Sequence, residues 1–332
     1  MRAIVTALAL VASMLSPSLA QTSPTPSSTS TSAPWPTHPI RLIVNFPAGG
    51  AADLLARLIG QSLSETFGQP VVVENKGGAN GNLGGEMAAR ATPDGYTLLM
   101  SSGGMVAINP HLYANLPFDP TKDIVPVASV ARVPFYLVVR TQNSAQDFKA
   151  FVADLKANPG KRNFGSPGIG SSPHLAAELL KKMTGTDAVH VPYRGAAPAL
   201  NDLLAGQIDF LFDPGIAIEH VKSGVLRALA IGSPQRSPQL PDVPTLDELG
   251  LTGFDADAIF GVYTPAGTPQ EVILRLNTEV NRALATATLK ERITAVGNVP
   301  VAMSPDAFGA RAREDSKRFG EIIRERGITG GN

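Results

Sequence analysis

Cysteine is absent from the 332-residue chain, and that one absence removes several kinds of chemistry. It excludes disulfides, thiolate metal sites and a cysteine nucleophile. The lipid-attachment cysteine of a bacterial lipoprotein is missing as well, so a freely diffusing monomer held by its core alone is expected. Neither sign of charge is in excess, with 28 Lys and Arg against 28 Asp and Glu. Nucleic-acid binding needs clustered cations that displace counterions, so no nucleic-acid partner is expected. Beyond residue 20 no run approaches the roughly 20 apolar residues that span a bilayer. The histidines at 38, 111, 174, 190 and 220 are too widely spaced for a two-histidine motif, and neither metal nor cofactor is expected.

What is present begins with a leader. Arg2 supplies a positive start, residues 3–15 an apolar stretch and Ser18-Leu19-Ala20 a small-x-small site. These features predict a signal peptide over 1–20, cleaved after Ala20, and hence a periplasmic protein. Residues 21–36, QTSPTPSSTSTSAPWP, are too poor in apolar surface to fold and read as a disordered tether.

From Ile40 onward, short apolar runs alternate with amphipathic segments. A strand over 40–46 precedes a Gly-rich turn and a helix over 51–67, where Leu55, Ile59 and Leu63 recur every four residues beside Leu58. Strands over 71–74 and 96–101 flank another Gly-rich helical segment. The pattern restarts after Val133, with helices over 147–157, 173–183 and 196–205 and strands over 162–166, 188–193, 208–213 and 226–231. Two long helices, over 269–287 and 305–326, close the chain, each with Pro at its start. Alternation of this kind predicts an α/β fold with two mainly parallel sheets flanked by helices.

Three loops occupy the carboxyl ends of strands, where parallel sheets place their ligands. Asn45-Phe46-Pro47-Ala48-Gly49-Gly50 opens the first helix, and its paired glycines suit either an anion or a bare tight turn. Asp53 in the next turn complements the helix dipole. Gly165-Ser166-Pro167-Gly168-Ile169-Gly170-Ser171-Ser172-Pro173-His174 places three glycines and three hydroxyls at a helix start, more than a cap requires; Ser172 reads as the N-cap. In Val191-Pro192-Tyr193-Arg194-Gly195-Ala196-Ala197-Pro198, Tyr193 offers an apolar wall and a hydroxyl, and Ala196 and Ala197 offer N–H groups. Arg194 is either a carboxylate clamp or a surface residue. Asp213, in Phe212-Asp213-Pro214, reads as a contact to a ligand hydroxyl or amine, or as a cap.

Catalytic motifs are weak by comparison. The second loop gives G-x-G-x-x-P, without the third glycine of a dinucleotide fingerprint. Gly170 to His174 ends in His where the G-x-S-x-G nucleophile elbow requires Gly. A hydrolase would use Ser171 or Ser172 with His174, and no oriented acid accompanies them.

These loops, in this order, resemble the receptors of tripartite tricarboxylate transporters, the Bug family. The resemblance runs from Trp35 to Ile328 and is carried by PIRLIVNFPAGGAAD, NFGSPGIGSSPHLAAELL, VHVPYRGAAPALNDLLAGQIDF, LRALAIG, LPDVPTLDELGL and TPAGTP. It implies a two-lobe, periplasmic-binding-protein-like (Venus flytrap) fold with two crossover strands. Residues 37–133 and 260–332 would form lobe 1, and residues 134–259 lobe 2. It further implies a solute receptor rather than an enzyme, which closes on a small carboxylate and delivers it to integral membrane transporter subunits; presentation to a sensor kinase is the alternative. The carboxylate is expected at Ser166, Gly170, Ser171, Ser172, Tyr193, Ala196 and Ala197, with Asp213 nearby. The closing surface is expected at Phe46, Pro47, Ala48, Gly49 and Gly50, with Ser101 and Ser102. Two departures stand out: Ala51 and Ala52 where the family often has Ser or Thr, and Ile259-Phe260-Gly261 where a Trp is frequent.

Overall fold

The computed structural model describes residues 35–330. The expected leader and residues 21–34 of the Ser/Thr/Pro tract lie outside the described residues. β1 (Ile40–Val44) is apolar because it is central, and only Arg41 reaches the half-exposed class. The chain then turns into α1 (Ala51–Phe67), whose Leu55, Ile59 and Leu63 stripe is fully buried. Gly68 ends the helix in the left-handed conformation that most L-residues avoid. β2 (Val71–Asn75), α2 (Asn82–Ala89) and β3 (Thr97–Ser101) follow, with β2 and β3 flanking β1 in parallel.

Two short helices, α3 (Gly104–Ala107) and α4 (Asn109–Leu112), lead to the long β4 (Ile124–Val133). β5 (Tyr136–Arg140) starts after only two further residues, in a different sheet. That second sheet is completed by α5 (Phe148–Ala157), β6 (Asn163–Ser166), α6 (Ser172–Thr184), β7 (Val189–Pro192), α7 (Ala196–Ala205), β8 (Phe210–Asp213), α8 (Ile218–Lys222) and β9 (Leu226–Ile231). The chain returns to the first sheet as β10 (Ala258–Pro265). It ends with α9 (Gln270–Ala285), α10 (Ala287–Ala295), β11 (Val299–Pro300) and α11 (Pro305–Arg326). The strand orders are β11-β4-β10-β3-β1-β2 and β7-β6-β8-β5-β9.

Both sheets are mixed rather than mainly parallel. The βα units pair in parallel, but β10 runs antiparallel to β3 and β4, and β5 runs antiparallel to β8 and β9. A chain that leaves one sheet for the other and later returns must run against its neighbours at the crossing. The helix expected over 269–287 also ends early. Thr286 takes an extended conformation, and its hydroxyl accepts from Leu289 N, starting α10 as a separate helix.

The two lobes touch through apolar and charged groups. Leu175 of α6 packs with Ile108, Leu112, Phe319, Ile322 and Ile323 from the first lobe. Buried Glu178 is paired with Lys181 at 2.7 Å and with Arg326 of α11 at 3.0 Å, which relieves the cost of removing its charge from water. At the crossing, Arg132 pairs with Asp257 at 2.7 Å, and Tyr136 donates to Gly297 O at 2.9 Å.

Phe308 of α11 is 1% exposed and lies 4.9 Å from the Tyr263 ring, centroid to centroid. Phe308→Ala leaves a cavity that this packing cannot fill, and should cost about 3–5 kcal/mol in denaturant unfolding with an unchanged m-value. A loss below about 1 kcal/mol would mean that α11 is not packed as described.

Candidate functional site

The carboxyl ends of β1, β6 and β7 lead into the first turns of α1, α6 and α7, and these turns face a common cavity. The cavity measures about 60 Å³; by the same measure one buried water needs on the order of 10–15 Å³. Including its open mouth, the empty space is about 570 Å³, within the range of small-molecule sites. Among the described residues that line it, none bears a charge.

The first loop is fixed from behind. Asn45, fully buried, donates to Ser101 Oγ at 3.1 Å, and Asn75 donates to Phe46 O at 3.1 Å. Gly49, at φ 84°, turns its N–H onto Asp53 Oδ2 at 3.0 Å, while Arg57 lies 2.9 Å from Asp53 Oδ1. Burial opposes ionisation of Asp53, but Arg57, the Gly49 N–H and Asn75 outweigh it and hold the carboxyl below its ordinary range. This loop meets the third loop directly. Gly195, at φ 127°, lies so close that a Cβ there would sit 3.4 Å from Pro47 Cγ.

The second loop is knotted by its own hydroxyls. Ser166 Oγ donates to Gly168 O at 2.9 Å and lies 2.7 Å from His190 Nε2, so that nitrogen carries the proton. Ser171 Oγ donates to the same carbonyl at 2.8 Å. Ser171, not Ser172, is the N-cap residue of α6, and it holds no side-chain cap bond. The first intrahelical bond in this turn runs from Leu175 N to Ser171 O, which leaves the N–H groups of Ser172 and His174 without helical partners. His174 Nδ1 accepts from Gly170 N at 3.0 Å, and its ring stacks on His190 at 3.8 Å. Burial lowers the His174 pKa to about 4; burial and then the neighbouring His174 lower that of His190 to about 3. Both rings are therefore neutral near pH 7. With Nδ1 occupied and Nε2 facing Glu178 at 4.0 Å, His174 is not arranged as a base for Ser171 or Ser172.

The cavity wall includes Phe46, Pro47, Ala48, Gly50 and Ser102 from the first lobe, and Ser171, Ser172, Ala196 and Ala197 from the second. Six residues expected at the site do not line it. Gly49 N is taken by Asp53, Ser101 Oγ by Asn45 and Gly170 N by His174. Ser166 is turned into its own loop. The Tyr193 hydroxyl donates to Asp202 at 2.6 Å, with burial and that carboxylate pushing its pKa up to about 12. Asp213 Oδ2 accepts from Gly215 N and Ala217 N, and burial pushes the carboxyl up to about 7, so Asp213 shapes the turn behind Pro214. Phe135 and Pro214, which the sequence did not single out, are in the wall, together with Ala51, Ala52 and Phe260. Phe135 lies in the two-residue crossing between β4 and β5, a position that marks it only once the crossing is known.

Two mixed sheets joined by crossing strands, with a cavity between loops at strand ends, define the two-lobe fold of periplasmic binding proteins. The chain belongs to the tripartite tricarboxylate transporter family receptor family, which it matches over residues 55–328. It is similar to BugT of Bordetella pertussis, 39% identical over 296 residues that cover 88% of this chain and 90% of that one. Among solved structures it is similar to the periplasmic binding protein BugD, with TM-score 0.82 and 34% identity over 89% of this chain and 99% of that one. It is also similar to R. palustris Rpa4515 with adipate, with TM-score 0.86 and 33% identity over 89% and 99%.

The neutral histidine pair sets a direction for acid sensitivity. Below pH 6.5 the unfolded chain binds protons at His174 and His190 that the folded chain refuses until about pH 4 and 3. The pair's contribution to stability is therefore full above pH 6.5 and falls as pH drops toward 4, by up to about 1.4 kcal/mol per pH unit for each imidazole. Buried Asp213 and Asp257, pushed up to about 7 and about 6, act in the opposite sense. Between pH 7.5 and 4.5 the unfolding free energy of His190→Gln should lose less on acidification than that of the unsubstituted protein, the difference being the share of one imidazole. An equal loss in that variant would show that the pair does not contribute to it.

Proposed function

We propose that this chain is a periplasmic receptor that captures a small carboxylate between its lobes and hands it to a membrane transporter, without turning it over. The observation that carries the reading is the cavity at the first turns of α6 and α7. An anion there can accept from orphan backbone N–H groups and from the Ser172 hydroxyl, with Ser171 Oγ beside it held on Gly168 O, and the helix dipoles supply positive potential. Neither first turn contains an acidic residue to compete with it. Phe46, Pro47, Ala48 and Gly50 form the closing surface with Ser102. Residues 37–133 and 260–332 act as one lobe and 134–259 as the other, hinged where Arg132, Tyr136 and Asp257 sit, and a monomer suffices for this cycle. The carboxylate bound in the R. palustris relative supports the ligand class, and the family supports export and a transporter as partner.

A panel of mono-, di- and tricarboxylates should contain ligands that raise the melting temperature, with a stabilisation of about 2.7 kcal/mol at 100 times Kd. The ligand should be recovered unchanged by mass spectrometry. Ser171→Ala with Ser172→Ala should weaken binding about 10- to 100-fold, the worth of hydrogen bonds to a charged group. A panel without any thermal shift, or an unaltered affinity in the double variant, refutes the assignment.

A further inference from the structure

The two sides of the cavity differ in what they offer an anion. On the second-lobe side, α6 and α7 begin without an acid, and two hydroxyls stand beside their N–H groups. On the first-lobe side, α1 begins with its own carboxylate. Asp53 complements the dipole of α1 from within its first turn, and its carboxylate is shared between the Gly49 N–H and Arg57, so this helix end attracts a second anion less than the starts of α6 and α7 do. Ala51 and Ala52 line the cavity at the start of α1 and bring no polar side-chain group to it. Phe46, Phe135 and Phe260 extend this wall, and Ser102 supplies its one side-chain hydroxyl among the described residues. The Ser102 oxygen already accepts from Gly104 N at 3.3 Å.

Building on the receptor reading, we propose that the physiological ligand is a monocarboxylate with an apolar, ring-bearing or branched body. Its carboxylate points to α6 and α7, and its body lies against Ala51, Ala52 and the three phenylalanines. A second carboxylate at the far end would lose its hydration and find, among the described residues, one side-chain hydroxyl, no cation and a helix start whose dipole Asp53 already complements. Burial of a hydrocarbon body on the same wall is favourable. Ala51 and Ala52 are thus the specificity-determining residues of the first lobe.

Isothermal titration of the mature protein, refolded from denaturant to free it of carried-over ligand, separates the possibilities. The probes are benzoate and cyclohexanecarboxylate, adipate and malate, and the neutral methyl benzoate. Benzoate or cyclohexanecarboxylate should bind at least 100-fold more tightly than adipate and malate, and methyl benzoate should not compete. Ala51→Ser with Ala52→Ser should shift the ratio of benzoate to adipate affinity by at least tenfold toward adipate, with the fold checked by circular dichroism. Adipate or malate binding as tightly as the ring acids overturns this inference and leaves the receptor reading intact. Methyl benzoate binding as well as benzoate removes the carboxylate from both. If no probe binds, both readings fail together.

Discussion

A helix leaves its first N–H groups without partners, and here α1, α6 and α7 all begin at one cavity. Each orphan set needs acceptors, and the chain answers the need differently on its two lobes. On α1 the answer is an internal charge: Asp53 sits in the first turn, complements the dipole and ties down Gly49 N just ahead of the helix. On α6 and α7 no acid is supplied, and the second loop spends its serines on Gly168 O rather than on the helix start. The donors there remain available to whatever enters. This asymmetry gives the cleft a polar side and an apolar side without placing an ionised side chain in its wall. Such a wall avoids both the desolvation of a fixed charge and the strong geometric demand of an ion pair.

An arrangement of this kind works only if the two lobes meet in a defined way. The structure provides that through groups remote from the cavity. Leu175 engages the apolar face of α11, and Glu178 is shared between its own helix and Arg326. Closer to the crossing, Asp257 is buried, and burial would hold its carboxyl up at about 6 even with Arg132 beside it. The Arg132 pair at 2.7 Å makes that burial tolerable and ties the end of β4 to the start of β10. The elements that close the cleft are therefore the same helices whose starts form it: α6 supplies donors at one end and the interlobe contact along its length.

Much of this was legible in the sequence where local chemistry decides. α1, α7 and α11 have the boundaries expected from their apolar spacing, because Gly68, Gly206 and Gly327 end them in a conformation other residues resist. β4 and β10 have no local signal, and the two crossover strands are expected from the family resemblance alone. β10 is buried along all eight residues, so it has no period-two pattern, and its Gly261 lies under Phe308 instead of marking a turn. The three loops of the site were legible as loops. Which of their donors face the cavity was not, because some are taken by partners distant in sequence and others by neighbours that turn back on them only in the folded loop. Asn45 lies 56 residues from Ser101, and His190 lies 24 from Ser166. Tyr193 illustrates the same limit: its hydroxyl is spent on Asp202, one helical stretch further on.

The histidines complete the logic of a neutral site. A polar layer behind the second loop has to hold Gly168 and Gly170 at positive φ while adding no charge next to the helix starts. Neutral imidazole satisfies both demands, since it donates from one nitrogen and accepts at the other. His190 donates to Ser166, and His174 accepts from Gly170 N. Stacking at 3.8 Å, with Phe164 beneath His190 at 4.9 Å, covers the ring faces and adds to the burial that disfavours the imidazolium. A lysine or arginine in this layer would bring a charge that competes with the cavity for an anion, and a carboxylate would take the donors itself. The sequence therefore places at these positions the side chain that can be polar in two directions and ionic in neither near neutral pH. The potential at the helix starts is then set by the backbone alone.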